Sequence, residues 1–133
     1  MQVSLQRVDP SLPLPQYESR GAVGFDLITR ETTVIESGKI ALVPGNVIVK
    51  VPQGYALMIV PRSSLPRKKG LVCPHSIGII DQDYHGEKDE ILVQVQNILA
   101  VIPLSNYILR FLEYGIFYMV ISIAALKMIL IMN

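Results

Sequence analysis

The run Gly78-Ile79-Ile80-Asp81-Gln82-Asp83-Tyr84-His85-Gly86-Glu87 sets two acids and an aromatic in one tight turn after an apolar stretch. A turn of that kind can aim a carboxylate and a ring at one small ligand. Two further segments carry polar residues out of keeping with simple sheet packing. In Ala22-Val23-Gly24-Phe25-Asp26-Leu27, Gly24 permits close backbone approach and Asp26 interrupts an apolar strand. In Pro61-Arg62-Ser63-Ser64-Leu65, a proline stop gives way to a guanidinium and two hydroxyls, donors that suit phosphate oxygens. Read singly, each has an ordinary explanation. Asp26 would be a cap or turn residue, Arg62 a surface ion pair, His75 a loop imidazole, and Asp81 and Asp83 turn-formers.

The elements that must position these groups are short strands cut by turn residues. Residues 3–8 alternate, and Asp9-Pro10-Ser11-Leu12-Pro13-Leu14-Pro15 excludes helix and central strand, because three prolines remove donors and fix the backbone. Residues 25–28 and 32–35 are β-branched or aromatic pieces. Residues 40–43 run into Pro44-Gly45-Asn46, 47–51 into Pro52-Gln53-Gly54, and 55–60 into Pro61. Strands of this length, spaced with Gly or Pro between them, predict an all-β sandwich or barrel. Residues 70–77 are expected to form a hairpin leading into Asp81, and residues 90–97 a further strand. No helical apolar period interrupts this part.

Length and composition bound the possibilities. A chain of 133 residues is one domain by size. A net charge of +1 provides no field able to hold nucleic acid. Arg67-Lys68-Lys69 is the one basic cluster and reads as a solvated loop. The single cysteine, Cys73, excludes an internal disulfide and fits a reducing compartment, so the cytoplasm is expected, or the nucleus in a eukaryote. With no CxxC and no paired-histidine spacing, a protein-ligated zinc is not expected. The N-terminus has neither the charged start nor the apolar run of a signal peptide.

The chain divides near Asn97. Mean hydropathy is positive, and most of the excess lies in the last third. Residues 98–102 read as a buried strand. Residues 114–132 carry Lys127 as their one charge and approach the length of a bilayer-spanning helix. The expected organisation is therefore a domain over residues 1–97 and a divergent apolar tail over 98–133.

Taken together, in this order and spacing, the three polar segments resemble the trimeric dUTPases, which cleave dUTP to dUMP and pyrophosphate. The resemblance covers roughly residues 1–97 and three of that family's five motifs: residues 22–27, 61–65 and 78–87. It implies a jelly roll. It also implies that Asp81 binds the sugar 3'-hydroxyl and acts as general base on the attacking water. Tyr84 would pack under the deoxyribose and exclude a 2'-hydroxyl. Uracil would be read by backbone groups of a hairpin over residues 75–80, with Ile79 and Ile80 at its end and His75 where the family more often has asparagine. Arg62, Ser63 and Ser64 would hold the phosphates. Asp26 would reach Mg2+ through water, the triphosphate supplying the inner oxygens. The partners implied are dUTP and two further copies of the chain.

The segment Arg62-Ser63-Ser64-Leu65-Pro66-Arg67 is also similar to the phosphate loop of dCTP deaminases. Those enzymes need a glutamate on the following strand, where this chain has Gln94, and glutamine cannot relay a proton. After Asn97 nothing resembles the family's fourth motif or its glycine-rich arm, which closes over a neighbouring subunit's site. The last strands of the jelly roll are thus expected to be missing or replaced by an apolar tail, for which helix and strand both stay open. Impaired turnover, or a non-catalytic dUTP-binding remnant, would follow. A frame change in the coding sequence is the simplest cause of the shift. The competing view of the tail is a membrane anchor over residues 114–132.

Overall fold

The computed structural model describes residues 2–99 and, through their backbone pairing, residues 117–122. Nine strands and one short helix occur among them: β1 Ser4–Arg7, β2 Phe25–Asp26, β3 Ile40–Pro44, β4 Val47–Lys50, β5 Ala56–Pro61, α1 Leu65–Lys69, β6 Leu71–Val72, β7 Gly78–Ile80, β8 Leu92–Asn97 and β9 Phe117–Ser122. They form three antiparallel sheets, ordered β1-β4, β2-β9-β5-β7 and β3-β8-β6.

Alternation decides which side of each strand meets the core. On β8, Val93, Val95 and Asn97 point inward, while Leu92, Gln94 and Gln96 point outward. On β5, Leu57 and Ile59 are buried, and their partners on β7 are Ile80 and Gly78. Ile79, opposite Met58, faces solvent. Val47, Ile48 and Val49 of β4 are buried in succession, as in a strand covered on both faces. Leu27, Ile35, Val43, Leu65, Leu71 and Ile91 complete the interior. Successive strands often change sheet: Gly45-Asn46 joins β3 to β4, which lie in different sheets. Asn46 takes a left-handed φ of 61° there, and a side chain at Gly45 would press on the Ile91 carbonyl at 3.0 Å.

Several expectations are corrected. The basic cluster is not a loop: Arg67, Lys68 and Lys69 lie on α1, which begins at Ser64 and stops at Gly70 with φ 63°. Proline at the helix start and glycine past its end suit a single turn of helix. The strand expected at 32–35 shrinks to a bridge at Ile35, and Ile98 and Leu99 are irregular rather than strand. The hairpin over 70–77 does not form, since β6 pairs with β8 and β7 with β5. Instead a tight turn, with Ser76 N–H donating to the Cys73 carbonyl at 3.0 Å, carries the chain from one sheet to the other.

The tail, for which helix and strand both stood open, is strand where it is described. Residues 117–122 are a strand, inserted between β2 and β5. The sheet supplies a row of backbone partners on each side, and this outweighs any helical preference of a short apolar segment. The remaining calls on the tail, residues 100–116 and 123–133, lie outside the described residues. Among the described residues no helix is long and apolar enough to cross a membrane.

Candidate functional site

Register brings Asp26 and Arg62 together. On β9, the backbone of Tyr118 lies opposite Asp26 on one side and Val60 on the other, so those two residues are level across the sheet. Arg62 follows Val60 by two positions and returns to the same face. There its Nε donates to Asp26 Oδ1 at 2.8 Å and its Nη2 donates to Oδ2, a two-pronged fork. Asp26 is only 8% exposed, and an acid buried to that extent is stable as a charge when it is paired and hydrogen-bonded. Arg62 is therefore held in an ion pair, as its residue type alone suggested, but a half-buried one with Asp26. Ser63 and Ser64 come next, exposed and half-buried, at the turn into α1.

Asp81 and Tyr84 lie at the other end of β5. Ile80 pairs with Leu57 and Gly78 with Ile59, so β7 runs back along β5 and Asp81 leaves it beside Ala56. Gln82 Nε2 donates to the Tyr55 carbonyl at 3.3 Å, holding the loop at that end. Arg62 is six residues further along, roughly 20 Å away at strand rise. One chain therefore does not bring its phosphate-type and base-type residues into a single pocket.

The loop itself consists of two turns. Tyr84 N–H donates to the Asp81 carbonyl at 3.3 Å; Asp89 N–H donates to the Gly86 carbonyl at 3.0 Å, and Gly86 N–H to Asp89 Oδ2 at 2.6 Å. Residues 81–88 are all exposed. The Tyr84 hydroxyl donates to the Glu90 carbonyl at 3.2 Å, which straps the loop to its own exit. β7 is an edge strand among the described residues, so one side of Ile79 and Ile80 presents backbone groups that the ladder does not use. His75 lies beside it: a side chain on Gly78 would sit 3.4 Å from its Nε2.

Three residues to which the sequence reading gave no site role support this loop. Glu90 accepts from Arg30 Nε at 3.0 and 3.3 Å, from Arg30 Nη2 at 3.1 Å, and from the Asn46 N–H at 2.9 Å. Asn46 also brackets Asp9, accepting from its N–H at 2.7 Å and donating to its carbonyl at 3.2 Å. The Arg30 guanidinium is held above its ordinary pKa, first by the hydrogen bond to Glu90. No local signal marks these residues, because Arg30 and Glu90 are 60 positions apart. Among the described residues no cluster of three acids, histidines or cysteines could by itself hold a metal ion.

These features define an all-β jelly-roll protein with an exposed loop after a strand that is an edge among the described residues. The dUTPase family profile matches residues 11–101. The chain is 40% identical over 95 residues to the deoxyuridine 5'-triphosphate nucleotidohydrolase of Streptomyces avermitilis, covering 71% of this chain and 54% of that protein. It is 46% identical over 88 residues to the protein of that name from Agrobacterium fabrum, covering 63% and 56%. The crystal structure of a dUTPase from Streptococcus mutans superposes with a TM-score of 0.75 at 34% identity, over 92% of this chain and 94% of that one. A dUTPase of the Staphylococcus aureus phage phi11, described for its coordination of a structural Mg(II) ion, shares the fold with a TM-score of 0.74 at 20% identity, over 92% and 90%. This chain belongs to the dUTPase family. Its matched region spans about half the length of the curated relatives.

Proposed function

We propose that this chain hydrolyses dUTP to dUMP and pyrophosphate at sites shared between copies of itself. The observation that carries this reading is the placement of its motif residues at opposite ends of β5. Asp81 and Tyr84 stand at one end, and Asp26, Arg62, Ser63 and Ser64 at the other, with His75 beside Gly78 on the stretch between them. Only a second copy can bring the two sets onto one ligand. A homotrimer satisfies this, and the outer face of β3 and β8 leaves Ile40, Leu42 and Leu92 exposed for a neighbour to cover.

In this reading the exposed Asp81 carboxylate takes the proton from the attacking water and holds the 3'-hydroxyl. The Tyr84 ring underlies the deoxyribose and leaves no room for a 2'-hydroxyl. The free edge of β7 pairs with uracil through the backbone of Ile79 and Ile80, with His75 beside it. The Arg62 guanidinium, held in place by Asp26, and the hydroxyls of Ser63 and Ser64 face the phosphates from the other side, offsetting the charge that builds on the departing pyrophosphate.

Magnesium fits as an ion carried by the triphosphate. The protein offers it one acid, Asp26, whose oxygens already accept from Arg62 and keep lone pairs for a bridging water. When bound, such an ion would neutralise developing phosphate charge. The division at Asn97, and a frame change as its cause, belong to the same reading. Genomic DNA whose other frames lack an arginine-alanine-glutamine motif and a glycine-rich one would exclude the frame change.

The test is complementation. Asp81→Asn and Arg62→Ala are each expected to lower pyrophosphate release from dUTP with magnesium by about a hundredfold or more. Mixing the two after unfolding and refolding should restore a fraction of the native rate, because some mixed sites would then hold both intact residues. Absence of recovery would sink the shared site. Binding of dUTP without turnover by the native chain would favour a non-catalytic remnant.

A further inference from the structure

We propose that Glu90, locked by Arg30 and Asn46, is the positioning residue that sets the tilt of Tyr84 and thereby the preference for a 2'-deoxy sugar. The proposal rests on the role given to Tyr84 above. A ring 38% exposed in a loop has little packing to hold it, so its orientation depends on its two ends. One end is the backbone turn in which Tyr84 N–H donates to the Asp81 carbonyl. The other is the hydroxyl, which donates to the Glu90 carbonyl at 3.2 Å. Where that carbonyl stands is therefore where the ring points.

The Glu90 backbone is fixed to an unusual degree for a loop exit. Its carboxylate is forked by Arg30 and receives the Asn46 N–H. Arg30 is itself tied, its N–H donating to the Pro44 carbonyl at 2.9 Å. The next residue, Ile91, donates to the Val47 carbonyl and accepts from Gly45 N–H, each at 2.9 Å. Glu90 is thus clamped by its side chain and its neighbour to the corner between β3 and β4. A carboxylate with side-chain exposure of only 12% and three donors is costly to move, whereas the Tyr84 hydroxyl bond alone is exposed and weak. Selectivity between sugars differing by one hydroxyl needs a ring displaced by less than the size of that group, and the clamp supplies this stiffness.

The experiment compares the affinities of dUMP and UMP by calorimetry, which needs no turnover. In parallel, the ligand-free protein carrying 3-fluorotyrosine is observed by 19F NMR, the Tyr84 resonance being assigned by its loss in Tyr84→Phe. Glu90→Gln and Arg30→Met are expected to shift or broaden that resonance. They should also reduce the dUMP-over-UMP preference about three- to tenfold, the range set by one net hydrogen bond. Arg30→Lys should recover part of the preference, and Tyr84→Phe should lose as much as Glu90→Gln. A native resonance and native preference in Glu90→Gln, with the preference lost in Tyr84→Ala, would overturn the clamp while sparing the ring. An intact preference in Tyr84→Ala would overturn the role of the ring, and the clamp with it.

Discussion

The two ends of β5 solve different problems. At the Arg62 end, opposite charges are already paired: the guanidinium forks a buried Asp26, and the chain turns at once into α1. At the Asp81 end, eight successive residues from Asp81 to Lys88 are exposed, and the loop is held by its own turns, the Gln82 amide and one hydroxyl. The charges proposed to meet phosphate are kept in a fixed frame, where a wrong geometry would leave a buried ion unpaired. The groups proposed to meet water, sugar and base stand in solvent, backed by the Arg30, Asn46 and Glu90 contacts. The frame carries the stability, and the loop carries the contacts.

If that division is right, substitutions should sort by end and by layer. Ile91→Ala, at 1% exposure behind the loop, should cost about 3 kcal/mol in urea unfolding, whereas Asp83→Ala within the loop should stay within about 0.5 kcal/mol. Equal losses would erase the contrast. Asn97→Ala should follow at about 2 kcal/mol, since it strands the Ile35 carbonyl and the Leu99 N–H. Gly70→Ala should cost about 1 kcal/mol or more, because φ is 63° and a Cβ would run into the Leu99 side chain. Thermal melts of the two variants would show whether the boundary near Asn97 is part of the frame.

Two titrations give smaller effects. Burial pushes the Cys73 thiol above its ordinary value of 9.0, so the neutral form is favoured in the fold. The stability this contributes is present below pH 9 and fades as pH rises through the folded value, and alkylation near pH 8 should be slower than that of a free thiol. Asp9 is held below 3.8 by the Ser11 hydroxyl and N–H. Its contribution is present above the unfolded value and is lost as pH falls through the folded one. Ser11→Ala should reduce this acid dependence, read as the change in melting temperature between pH 5 and pH 3.

Much of the strand pattern was legible because strand-forming runs and turn residues act locally: β1, β3, β4 and β5 fall on short apolar or alternating runs with Gly or Pro close behind, and β8 falls within the strand expected over residues 90–97. The hairpin before Asp81 was misread because β6 and β7 look like neighbours in sequence, yet β8 and β5 were their better partners in space. Whether residues 117–122 would be helix or strand was not legible for the same reason, an open slot between β2 and β5 outranking any local preference. Arg30, Asn46 and Glu90 were invisible because their meeting spans long loops.

The sequence alone singled out Asp81, Tyr84, Arg62 and Asp26 as candidates, by type and spacing. It also determined the family, because motifs are strings. Only the tertiary structure decided that Arg62 answers Asp26, that the two halves of the site stand at opposite ends of β5, and that Glu90 stands behind Tyr84. Those are distances, and distances between residues far apart in the chain are set by sheet register and packing, which no local pattern encodes.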